Sequence, residues 1–168
     1  MEKIFKPGKN KAFTLLEIIV VLDVVISIIT SALTLITMTV STTSAAKSRI
    51  IAIGLSQEGL EIVRNIRDNN WLSGRRGQTN WRFGLTPGDY LVQYNSGDLM
   101  SFASRSLMFN NGYYQYDGGT NTPFYRKITI EYMDDNQIKV VSEITWNERG
   151  RSQIISAELR LYNWLKQS

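Results

Sequence analysis

The stretch FTLLEIIVVLDVVISIITSALTLITMTV, Phe13 to Val40, decides the reading of this chain. It runs for 28 residues with only two charged side chains, Glu17 and Asp23, among Ile, Val, Leu, Thr and Ser. Coiled as an α-helix it is about 42 Å long, more than the roughly 30 Å of a bilayer's hydrocarbon core. The leader before it, residues 1–12, carries Lys3, Lys6, Lys9 and Lys11 against Glu2. Positive charge on that side and a polar exit near Ser41 predict an N-terminus inside and a C-terminus outside. A secretory signal peptide has a shorter apolar core followed by a small-x-small cleavage site. A carboxylate placed this early in an apolar segment is costly in lipid unless it finds a partner, so Glu17 is a candidate functional residue.

The string Lys11-Ala12-Phe13-Thr14-Leu15-Leu16-Glu17 resembles the prepilin signature of type IV pilins and type II secretion pseudopilins. The resemblance implies cleavage of the leader between Ala12 and Phe13 by a prepilin peptidase, N-methylation of Phe13, and a role for Glu17 in filament assembly. Cutting would create an ammonium at Phe13, which a carboxylate on a neighbouring helix can neutralise away from water. The plainer account of Glu17 is a carboxylate favoured by the dipole at a helix N-terminus. The family usually has Gly before the cut, where this chain has Ala12. Many of its major subunits have a helix-breaking Pro where this chain has Thr34, so no break is expected there.

Asp23 lies outside the general signature and begins a stripe. Asp23, Ser27, Thr30, Thr34, Thr37 and Ser41 recur at spacings of four and three, on one helical face. Such a stripe suits contact between helices, with Asp23 joining Phe13 and Glu17 as an assembly residue and Ser27, Thr30, Thr34 and Thr37 as subunit contacts. Alternatively, the hydroxyls bond back to carbonyls of their own helix.

Beyond Ser41 the composition becomes amphipathic. Ile51, Leu55, Ile62 and Ile66 form one stripe, which extends the helix over residues 41–71 and gives it a face for a folded domain. Arg64 and Asp68 are spaced as a helical ion pair. Gly54 and Gly59 weaken a helix and mark candidate close approaches to a sheet. The run from Gln57 to Trp71 resembles minor-pilin-like members of the same family, with a helix end at Asp68-Asn69-Asn70 and Trp71 anchoring the exit. Arg64, Asn65 and Arg67 are either filament contacts or a solvated face.

Residues 72–123, rich in Gly, Asn and Ser, read as an irregular region with one short strand at Asp89 to Asn95. In the family this is the variable loop that differentiates subunits. Its aromatic residues, Phe102, Phe109, Tyr113, Tyr114 and Tyr116, continue into Phe124 and Tyr125 and suit either a sugar- or peptide-binding surface or the packing of a loop. Three strands then alternate with period two: Phe124 to Met133, Gln137 to Trp146 and Ser152 to Trp164. Asp134-Asp135-Asn136 reads as a turn, because three clustered oxygens fall short of the six to eight a calcium ion takes.

The expected fold is therefore α+β and type IV pilin-like, a long N-terminal helix packed on an antiparallel sheet of three to four strands spanning residues 124–168 and the short upstream strand. With no His and no Cys in 168 residues, common zinc sites, thiol chemistry, disulfides and most general-base catalysis are excluded. No enzyme activity, cofactor or metal is expected. The +4 net charge arises mostly in the leader, so no nucleic-acid partner is expected. The resemblance implies a subunit, minor-pilin-like, of a pilus-like filament, held by its helix in the cytoplasmic membrane and then assembled with other pilin subunits outside. Its partners would be the peptidase, those subunits and membrane lipid. The alternatives are a pseudopilin of a secretion or DNA-uptake system and a single-span anchored domain that never polymerises and captures a ligand.

Overall fold

A computed structural model describes residues 14–74 and 80–164. The chain divides into two compact units, Met1–Ser44 and Ala45–Ser168.

Helix α1, Leu15–Gly74, contributes to both. It starts where the side chain of Thr14 accepts the N–H of Glu17 at 3.3 Å and the carbonyl of Thr14 accepts it at 3.1 Å. This is N-capping by a hydroxyl. The helix is unbroken at Thr34, and it passes the expected end at Asp68-Asn69-Asn70. Asn70 stays helical because its amide is used outward, donating to the carbonyls of Trp81 at 3.1 Å and Phe83 at 2.7 Å.

In the second unit α1 packs on a sheet that is antiparallel throughout and has seven strands, not three to four. The strand expected at Asp89 to Asn95 is β1 (Gly88–Leu91), which stops before Val92, whose carbonyl accepts from the Arg126 side chain. The additional strands come from the region read as irregular and are β2 (Met100–Ser101), β3 (Ser106–Asn110) and β4 (Tyr113–Gln115). The long strands are β5 (Thr120–Asp134), β6 (Gln137–Glu148) and β7 (Arg151–Tyr162). One edge of β5 pairs with β6, and β6 with β7. Its other edge is shared by β3, against Thr120–Tyr125, and by β1, against Ile128–Ile130. Two-residue turns join β3 to β4, β5 to β6 and β6 to β7. Asn111-Gly112 and Arg149-Gly150 both have positive φ at each position, the mirror-image turn that matches strand twist. At Asp134-Asp135-Asn136 the Asp134 carboxylate accepts the N–H of Asn136 at 2.7 Å, so this segment is a turn.

Alternation decides which side chains meet the helix. Phe124, Arg126, Ile128 and Ile130 of β5 and Ile138, Val140, Ser142, Ile144 and Trp146 of β6 are buried. From α1 they receive Ala52, Leu55, Ile62, Val63 and Ile66, in two adjoining apolar clusters. The expected stripe is therefore the packed face, with Ile51 half-buried at its border. The end of the helix is held by rings: Trp71 meets Trp164 edge-on at 4.7 Å between centroids and lies 6.5 Å from Trp81.

Candidate functional site

The candidate assembly residues lie at the start of α1. Glu17 occupies the third helical position, and Thr14-x-x-Glu17 has the spacing of a capping box, so its charge sits where the helix dipole favours it. Neither Glu17 nor Asp23 has a side-chain partner among the described residues. Around them the large apolar residues from Leu15 to Val40 stand in the open, Leu15 at 79% and Val40 at 67% exposure. An apolar surface of this extent is not stable in water and is covered by lipid or by protein. By length and composition α1 is capable of crossing a membrane. Ala12 and Phe13, the expected cleavage and methylation residues, lie outside the described residues.

Within the chain, three hydroxyls of the stripe bond to carbonyls of their own helix. Thr30 donates to the carbonyls of Ile26 at 3.0 Å and Ser27 at 3.1 Å, Thr34 to that of Thr30 at 2.9 Å, and Thr37 to that of Thr34 at 2.9 Å. Each is satisfied inside its own helix, which lowers the cost of placing it in an apolar surrounding. Asp23 and Ser27 line a shallow groove on this helix with Ser31 and Ala32.

The second set of candidate contacts separates. Arg64 is paired with Glu61 rather than with Asp68, and it remains at the surface. Arg67 is turned inward. It is only 7% exposed, its guanidinium carbon lies 4.4 Å from the centroid of the Trp71 ring, and its Nη1 donates to the carbonyl of Tyr162 at 3.3 Å. Desolvation lowers its pKa, partly offset by Asp68 at 2.6 Å. The Nε–H points off line toward that carboxylate, so the contact is an ion pair without an aligned hydrogen bond. Arg67 therefore ties α1 to β7 within the chain and offers no free charge to a neighbour.

A polar strip missed by the apolar periodicity runs beneath α1. Arg126, 1% exposed, donates through Nη1 to the carbonyl of Val92 at 3.1 Å and to Glu58 at 3.3 Å, and its Nη2 lies 3.2 Å from the same carboxylate oxygen. Ser56 donates to the carbonyl of Ser142 at 2.9 Å. Between them lies Gly59, where an added Cβ would come within 2.7 Å of Ser142 Oγ. Of the two glycines read as close approaches, Gly59 is one and Gly54 is not, since nothing lies within 4 Å of a Cβ there. The ion pair and the hydroxyl fix the axial position of the helix on the sheet, because shifting α1 by one residue separates both. Nearby, burial raises the Tyr116 phenol to about 12 despite the guanidinium groups of Arg126 and Arg105, which pull the other way.

The aromatic run does not form one surface. Tyr116 and Phe124 are core, Tyr113 stacks on Tyr94 at 4.4 Å, and Phe109 packs edge-on against Tyr114 at 5.2 Å. Phe102 and Tyr125 of the run border a common groove. Among the described residues no three acidic side chains converge on a point where a metal ion could be held. Compared with protein-family models, with curated proteins and with solved structures, the chain matches none.

Proposed function

We propose that this chain is a structural, non-enzymatic subunit of a type IV pilus-like filament, of the minor kind. It would be made as a precursor, cut by a prepilin peptidase before Phe13, methylated there, and assembled with other pilin subunits through its N-terminal helix. Before assembly that helix would sit in the cytoplasmic membrane with the leader inside and the sheet domain outside. The observation that carries the reading is the exposed apolar surface of α1 with a lone carboxylate, Glu17, in its first turn. Lipid covers such a surface before assembly, and the helices of neighbours cover it afterwards. In the filament Glu17 is stabilised by a cation, and the ammonium of a cut Phe13 on a neighbouring subunit supplies one.

The test is Glu17→Ala with Glu17→Asp as its conservative partner. Glu17→Ala is expected to accumulate in the membrane at the normal level while falling at least tenfold in sheared surface filaments, with Glu17→Asp between it and the natural chain. Immunoblots of the two fractions give the answer. Equal recovery of Glu17→Ala in filaments would sink the assembly role, and absence of the natural chain from filaments would favour an anchored domain.

A further inference from the structure

On the face of the sheet turned away from α1, two cross-strand pairs of β5 and β6 lie side by side: Tyr125 opposite Thr145, and Lys127 opposite Glu143. The segment Phe102 to Arg105 stands beside them as a wall, because Ser106, the next residue, pairs with Tyr125 at the start of β3. Floor and wall enclose a groove of about 350 Å³. That is the lower end of the range for small-molecule sites, room for one ring-sized ligand.

The wall is fixed from behind. Arg105 donates to the carbonyl of Tyr116 at 2.8 Å, stands 3.8 Å from Asp117, and its N–H closes a tight turn onto the carbonyl of Ala103 at 2.8 Å. Inside the groove Lys127 and Glu143 neutralise each other at 3.5 Å. With its cations matched by carboxylates, the groove carries no excess charge to attract an ion. What it offers is two aromatic side chains, Phe102 at 45% and Tyr125 at 44% exposure, next to an ammonium donor, a carboxylate acceptor and the Thr145 hydroxyl.

We infer that this groove binds a neutral pyranose, a single sugar residue of a glycan. A pyranose has one face of C–H groups, which pack on the negative face of an aromatic ring, and a rim of hydroxyls that both donate and accept. Adjacent hydroxyls match an ammonium and a carboxylate that already lie side by side, and each keeps its ionic partner when the sugar binds. The site is independent of the filament reading, since none of its residues belongs to α1.

The experiment is saturation-transfer NMR on the full chain in phosphocholine detergent, which contains no sugar. The probes are the methyl pyranosides of glucose, galactose, mannose and N-acetylglucosamine at millimolar concentration. At least one is expected to receive saturation at its ring C–H protons, with Kd raised tenfold or more by Tyr125→Ala and also raised by Glu143→Gln. Tyr113→Ala, an exposed aromatic outside the groove, leaves Kd unchanged. No transfer to any of the four overturns the proposal. So does transfer that survives both groove substitutions, or binding of tryptophan amide to the groove in place of the glycosides.

Discussion

Replacing Glu58 by Ala is expected to destabilise the sheet domain by about 2–4 kcal/mol, because it leaves the Arg126 guanidinium buried without its counter-charge. Arg126 is the largest fully buried side chain, and its Nε and Nη2 already lack aligned acceptors. Once Glu58 is gone, the Val92 carbonyl is its one remaining hydrogen-bond acceptor among the described residues. The figure is set below that of a wholly buried pair because the Glu58 side chain is 33% exposed, and water partly replaces its charge. The double variant Glu58→Leu with Arg126→Met removes both desolvation costs and keeps the volume, so it is expected to lie within about 1 kcal/mol of the natural chain. Urea unfolding of the full chain in detergent, followed by near-ultraviolet circular dichroism, measures both. A loss under about 0.5 kcal/mol for Glu58→Ala would show that the pair does not hold the helix.

The second large effect belongs to Gly59. An added Cβ would stand 2.7 Å from Ser142 Oγ and 2.9 Å from Ile128 Cδ1, closer than such atoms approach one another. Gly59→Val places two further methyl groups into the same packed space and is expected to cost about 3 kcal/mol, the upper part of the overpacking range. Gly59→Ala trades the same Cβ contact against roughly 1 kcal/mol of helix propensity, so its net effect is small. Gly54, with nothing within 4 Å of a Cβ, gives the contrast: Gly54→Ala is expected to stabilise by up to about 1 kcal/mol. The same unfolding measurement ranks all three, and a tolerated Gly59→Val would mean that α1 stands further from the sheet than described.

These residues also mark where sequence reading ran short. The helical stripe and the strand alternation locate the core, because apolar side chains at period 3.6 on α1 must meet apolar side chains at period two on β5 and β6. Arg126 and Ser142 sit at inward positions of that same alternation, but a search for apolar residues steps over them. Arg67 is hidden in the same way. A charged residue beside an apolar stripe reads as surface, whereas here its long stem follows the core and its head stacks on Trp71.

Strands β2, β3 and β4 are two to five residues long, too short for alternation to emerge from a background of Gly, Ser and Asn. One signal was nevertheless present. Asn111-Gly112 between Leu107-Met108-Phe109 and Tyr113-Tyr114 is the strongest short-range mark of a hairpin, and it joins β3 to β4. At the N-terminus the spacing of Thr14 and Glu17 carries a capping-box signal that the dipole argument for Glu17 did not use. The self-bonding of the threonines was not legible, since spacing places hydroxyls on a face without saying which acceptor they choose.

The covalent N-terminus separates a filament subunit from an anchored domain, and intact-mass and N-terminal peptide mass spectrometry read it. The protein would be taken from its native membrane and from sheared surface filaments. The expected result is a mature chain in the filament fraction that begins at Phe13 and carries one added methyl group. A chain that keeps residues 1–12 and is found only in the membrane would contradict it.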